Sequence, residues 1–149
     1  MAGLNEKLRS AAFFGKLKDL KKCIQKGADL EYRDSEEMTP LLWAAQEGHL
    51  EVLRYLVLVG CDTEVRDTKY GKTPLLKAAA EGHREIVNYL VTVGCEKEVR
   101  DKDGATPLLW AAFKGHLEIV RFLVTVGCDK EARDTTVIID ISSLVLYLY

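Results

Sequence analysis

The sequence predicts an all-α solenoid, in which short helix-turn-helix units stack side by side and polar hairpin loops join them. The first observation is repetition. TPLLWAAQEGHLEVLRYLVLVGC, from Thr39, returns as TPLLKAAAEGHREIVNYLVTVGC from Thr73 and as TPLLWAAFKGHLEIVRFLVTVGC from Thr106, an interval of 33 or 34 residues. Thr39–Asp67 and Thr106–Asp134 agree at 21 of 29 positions. The second is punctuation, with Thr-Pro before each apolar run and Gly after it. The third is spacing: Leu50, Leu53, Leu56 and Val57 recur at three or four residues, which draws one apolar stripe along a helix. So short a unit cannot bury its stripe alone. A fixed period of about 20–50 residues marks a stack in which each unit supplies its neighbour's core.

Four units follow in order, at about 4–33, 34–66, 67–100 and 101–133, within a repeat domain spanning 1–134. The first is the weakest copy: Ala11-Ala12, Gly15, Leu17, Leu20 and Gly27-Ala28-Asp29 fall in register, but Thr-Pro is missing. Lys7, Lys16, Lys18, Lys21 and Lys22 make it the polar one, as an end-capping unit should be. In the second, Thr39 is a natural N-cap and Pro40 fits the first helical position, where its missing N–H costs nothing. LLWAAQE continues that helix and Gly48 can turn left-handed at its end. LEVLRYLVL forms the second helix, Gly60 stops it, and CDTEVRD reads as a turn-prone loop. The third and fourth units repeat this plan. The third has one extra residue in DTKYGK, placed at Tyr70, which should bulge from the loop tip.

Thr-Pro-Leu, the Ala-Ala pair, Gly-His-Leu-Glu, the Leu-rich second helix and Gly-Cys-Asp resemble the ankyrin repeat, whose period is about 33 residues. The resemblance covers about residues 4–134. It implies a non-catalytic protein–protein interaction module of the scaffold, adaptor or inhibitor type, binding through a concave groove and the hairpin tips. Two departures matter. The family often has His after Thr-Pro-Leu, where this chain has Leu42, Leu76 and Leu109, so loop order should rest more on packing. The hairpin glycine is present as Gly71 and Gly104 but is Glu37 in the second unit, where a positive φ would be strained and the hairpin is expected to be wider.

Charge and chemistry narrow the function. A net charge of −2 with both signs interspersed argues against nucleic acid. No polybasic run, secretory leader or stretch of about 18 apolar residues points to a membrane. The expectation is a cytoplasmic, reducing location. Cys61, Cys95 and Cys128 hold equivalent places in successive units, and so do His49, His83 and His116. Stacked at the roughly 8–10 Å spacing of packed helices, equivalent residues stand too far apart for a disulfide or a shared ion. No catalytic string is present, so no active site and no cofactor are expected. Glu31, Glu64, Glu98 and Glu131 stand beside Arg33, Arg66, Arg100 and Arg133 and beside Asp34, Asp67, Asp101 and Asp134, and are expected to pair as a solvated charge ladder.

A repeating frame binds through what varies. With the Ala-Ala pair facing the second helix, the flanking positions project the other way. They hold Ser10, Phe13 and Phe14; Trp43, Gln46 and Glu47; Lys77, Ala80 and Glu81; and Trp110, Phe113 and Lys114. The loop tips add Glu36, Met38, Lys69, Tyr70, Lys72, Lys102, Asp103 and Ala105. The resemblance makes this the partner groove. Six of the twelve Phe, Trp and Tyr residues gather there, as interface anchors do. For Trp43 and Trp110 the competing role is a wedge between adjacent first helices. Lys69, Lys72, Lys77 and Lys114 should orient an acidic partner, and Glu36, Glu47 and Glu81 offset them towards the N-terminal half, so the groove should grade from acidic to basic. The alternatives are an anionic ligand such as a nucleotide stacked between Trp43 and Trp110 with Lys77 between them, and a spacer from a larger or designed repeat protein.

The tail, residues 135–149, breaks the pattern with TTVIIDISSLVLYLY, an irregular apolar segment whose β-branched and aromatic residues favour strand over helix. It can fold back as an improvised cap, pair with another molecule through 137–149, or carry little order. A monomer is expected, with dimerisation through the tail as the alternative.

Overall fold

The computed structural model describes residues 2–133 and 141–148, and every regular element among them is an α-helix. Four antiparallel pairs follow one another: α1 (Ala2–Phe14) and α2 (Leu17–Gln25), α3 (Pro40–Glu47) and α4 (Leu50–Leu58), α5 (Pro74–Glu81) and α6 (Arg84–Thr92), α7 (Pro107–Lys114) and α8 (Leu117–Thr125). A ninth helix, α9 (Ile141–Leu148), ends the described chain. First helices pack on first helices and second on second, so the pairs build a two-layer solenoid. Ala44, Ala45, Leu53 and Leu56 are fully buried, and small or apolar residues hold the same places in the other pairs (Ala11, Ala12, Leu20 and Cys23; Ala78, Ala79, Val87 and Leu90; Ala111, Ala112, Val120 and Leu123), which makes the core continuous from unit to unit.

Local chemistry fixes each element. Thr39, Thr73 and Thr106 accept hydrogen bonds from the N–H groups of Leu42, Leu76 and Leu109 at 3.3–3.4 Å, closing the first turn ahead of a proline at the first helical position. Gly48 ends α3 at φ 82°. A Cβ there would also come within 2.6 Å of the His83 ring, so the glycine serves both the turn and the neighbour. That ring reaches back and its Nε2 donates to the Gln46 carbonyl at 2.7 Å. His49 bonds the Phe13 carbonyl and His116 the Ala80 carbonyl in the same way, so each histidine ties its unit to the one before.

The ladder along the loops is not the one the charges suggested. Glu31, Glu64 and Glu98 accept the backbone N–H groups of Asp62, Glu96 and Asp129 in the next unit at 2.8–2.9 Å. Arg33, Arg66 and Arg100 donate to carbonyls in their own loop, Glu37, Gly71 and Gly104, and to the carbonyls of Arg66, Arg100 and Arg133. Backbone groups of an extended loop otherwise lack partners, and these charged side chains satisfy them. The Glu37 turn is no wider than its glycine counterpart. Glu37 N–H reaches the Asp34 carbonyl at 2.9 Å and Gly104 N–H the Asp101 carbonyl at 3.0 Å. Glu37 simply adopts φ 60°.

The tail also departs from expectation. Residues 141–148 are helical. Ile141 is fully buried and Leu144 packs three residues on, so one helical stripe lies on the α7–α8 pair. Packing overrides the strand preference of the individual residues. Ser142 Oγ donates to Glu131 at 2.9 Å, the carboxylate whose counterparts bond the next unit's backbone. Asp134 and residues 135–140 of the expected tail lie outside the described residues.

Candidate partner-binding surface

Each loop is organised by a buried aspartate at 4–8% exposure. Asp34 Oδ1 accepts from the N–H groups of Glu36 and Met38, and Asp101 Oδ1 from those of Asp103 and Ala105. The other oxygen accepts the indole N–H of Trp43 at 2.6 Å and of Trp110 at 2.7 Å. In the third unit the partner is Lys77, whose Nζ sits 2.7 Å from Asp67 Oδ2. Burial alone would raise the Asp67 carboxyl. The Lys77 bond and the N–H groups of Tyr70 and Lys72 outweigh it and hold the pKa below the ordinary value.

These bonds sort the expected groove residues. Trp43 at 6% exposure, Lys77 at 7% and Met38 at 4% are buried and serve the frame rather than an open surface. The nucleotide sandwich therefore lacks its parts, since one indole is covered and its cation is already paired. Gln46, half-buried, accepts from Lys77 Nζ at 3.2 Å. Phe13 is half-buried and stacks edge-on against both Trp43 and the exposed Phe14. Glu36, Glu47, Glu81, Lys102 and Asp103 are exposed.

The third and fourth units bring the remaining residues together. Lys72 Nζ lies 3.5 Å from the Trp110 ring centroid and 5.4 Å from that of Tyr70. Lys69 stands 5.0 Å over Tyr70, Phe113 meets Trp110 edge-on at 6.1 Å, and Lys114 lies 6.0 Å from Phe113. Burial first, and the Lys77 charge second, pull the Lys72 ammonium below its usual pKa. Lys69 titrates above its usual value, first because of its hydrogen bond with Tyr70. The longer third loop is locked to the fourth: Lys102 N–H donates to the Tyr70 carbonyl at 3.0 Å and Lys102 Nζ to the Thr68 carbonyl. Tyr70 at 47% exposure and Phe113 at 57% thus project from a braced platform.

Three further features bear on chemistry. The cysteines are free and buried, and burial pushes the Cys61 and Cys128 thiols up to about 12. Among the described residues no group of His, Cys, Asp and Glu is placed to hold a metal ion. No described helix is long and apolar enough to cross a membrane. Asp34, Asp67 and Asp101, expected in a solvated charge ladder, are instead buried centres of their loops. Their signal was an acid standing nine residues before each tryptophan.

Stacked helical pairs with bonded loops define a repeat solenoid, with exposed Tyr70 and Phe113 and neighbouring lysines grouped on its third and fourth units. The family profile described as "Ankyrin repeats (3 copies)" matches residues 8–101 and 58–134, and the chain belongs to the ankyrin-repeat family. Repeats of this family generally mediate protein–protein interaction. Over 43 residues, 29% of its length, the chain is 49% identical to acyl-CoA-binding domain-containing protein 1 of Arabidopsis thaliana. It is 34% identical over 65 residues to human ankyrin repeat domain-containing protein 40, and 36% over 57 residues to human protein phosphatase 1 regulatory subunit 27. Those matches cover 43% and 38% of this chain. The chain spans only 13%, 18% and 37% of the three relatives' own lengths.

Proposed function

We propose that the chain is a non-catalytic protein-binding module, of the scaffold, adaptor or inhibitor type, that holds a partner on the platform of its third and fourth units. Tyr70 and Phe113 are the anchors, beside the half-buried Trp110. Lys69, Lys72 and Lys114 orient carboxylates of the partner. The observation that carries this reading is two exposed aromatic rings, Tyr70 on a loop locked to its neighbour and Phe113 in the last turn of α7, at positions where the frame asks for no aromatic residue. A rigid anchor loses little freedom on binding, so most of its burial becomes affinity. A relative named as a regulatory subunit of a phosphatase supports binding as the mode of action.

The test is affinity capture with the full chain beside a Tyr70→Ala/Phe113→Ala variant whose melting temperature is unchanged. Proteins held by the first and lost by the second support the reading. A partner held equally by both, with the same affinity when purified, places the site elsewhere.

A further inference from the structure

The first unit carries a second surface. Residues 1–28 hold seven basic side chains against two acidic ones, while the other 121 residues hold fourteen against twenty-one. A local charge of +5 therefore caps a solenoid that is otherwise −7. Four of these seven cations line a groove of about 300 Å³ between α1 and α2, with Leu4 and Ala11 among its apolar lining. Lys7 comes from α1, Lys16 precedes α2, and Lys22 and Lys26 come from α2 and its end, all four of them exposed. Among the described residues none of the four has a carboxylate within 4.0 Å, and the groove's one acid is Asp19.

Register shows what the groove is not. Asp19, Lys22, Cys23 and Lys26 stand where the second unit has Val52, Tyr55, Leu56 and Val59 and the third has Ile86, Tyr89, Leu90 and Val93. Those later residues include the buried contact set of the stack. The first unit has replaced that set with charge and a small thiol, so the groove rejects another apolar repeat. We propose that it docks a short acidic helical segment of a partner protein, carboxylates towards the lysines and an apolar side chain towards Leu4 and Ala11. A short segment fits better than a bilayer or a nucleic acid. Residues 29–61 carry seven acids against two bases immediately alongside, and an extended anionic surface would meet their repulsion.

The probe is a fluorescein-labelled helical peptide with Glu on one face and Leu on the other, titrated with the full chain at low salt and read by anisotropy. Saturable binding should weaken about tenfold or more in a combined Lys16→Gln, Lys22→Gln, Lys26→Gln variant, as loss of close charge pairs requires. It should stay within about twofold in an Arg84→Gln, Arg121→Gln, Lys130→Gln variant, whose exposed cations belong neither to this groove nor to the platform of the third and fourth units. Circular dichroism should show both sets folded. No binding, equal loss in both sets, or no loss in the first overturns the proposal. So does co-sedimentation with phosphatidylserine vesicles without any binding of the peptide, since the occupant would then be a lipid surface.

Discussion

Lys77 and Asp67 form an ion pair at 2.7 Å with side chains only 8% and 3% exposed. The equivalent aspartates of the second and fourth units bond a tryptophan N–H instead. One frame position thus accepts either an indole or an ammonium, because the carboxylate beneath needs a donor and both supply one. The same exchange comes with a longer third loop and with Lys72 in the place of Met38 and Ala105.

Lys77→Met should destabilise the protein by about 3–5 kcal/mol, since it strands a buried carboxylate without its counter-charge. Trp43→Phe, which removes one donor and keeps the packing, should cost only about 1–2 kcal/mol. Urea denaturation with a common slope measures both. Equal losses would mean that the ion pair contributes no more than a neutral bond.

The same pair sets a pH dependence. Asp67 titrates below its usual 3.8 in the folded chain, so its contribution is fully present above about pH 5 and fades as pH falls below about 4. The stability gap between wild type and Asp67→Asn should hold steady from about pH 7 to 5 and then narrow on acidification. A gap that widens in acid would reverse the assigned sign.

Much of the frame was legible because repetition multiplies weak signals. Thr39, Pro40 and Gly48 say start and stop three times over, and each helix appears where they put it. The surface was less legible. Trp43 and Phe113 looked alike as aromatic variables, yet one reaches a buried carboxylate nine residues back and the other has no such partner within its own loop. Direction of that kind depends on where Asp34 points, and the charge pattern alone puts Asp34 among the solvated residues. The helix in the tail was hidden for a similar reason. Ile141 and Leu144 gain their order from the α7–α8 pair, which local propensity does not contain.

Glu37 is the sole described non-glycine residue at positive φ, 60°, where its counterparts are Gly71 at 68° and Gly104 at 85°. Glu37→Gly should therefore stabilise by about 0.5–1 kcal/mol, the left-handed strain outweighing the extra freedom of the unfolded chain. Gly104→Ala should destabilise by a similar amount. Thermal melts of the two variants settle the ordering. A lower melting temperature for Glu37→Gly would mean that the Glu37 side chain contributes more than its backbone strain removes.

Helix α9 stands on the end of the fourth unit, with Ile141 fully buried and Leu146 80% exposed. We read it as a cover for the apolar flank that a further repeat would otherwise take. Ile141→Ala should then cost about 2–4 kcal/mol, as large-to-small changes in a packed core do. Deleting residues 137–149 should lower the melting temperature at least as far. Leu146→Ser should leave the melt within about 0.5 kcal/mol, because its side chain faces away from the repeats. The contrast between the two residues separates a packed cover from a loosely attached one. A deletion that leaves the melt unchanged and improves solubility would show that α9 holds nothing in place.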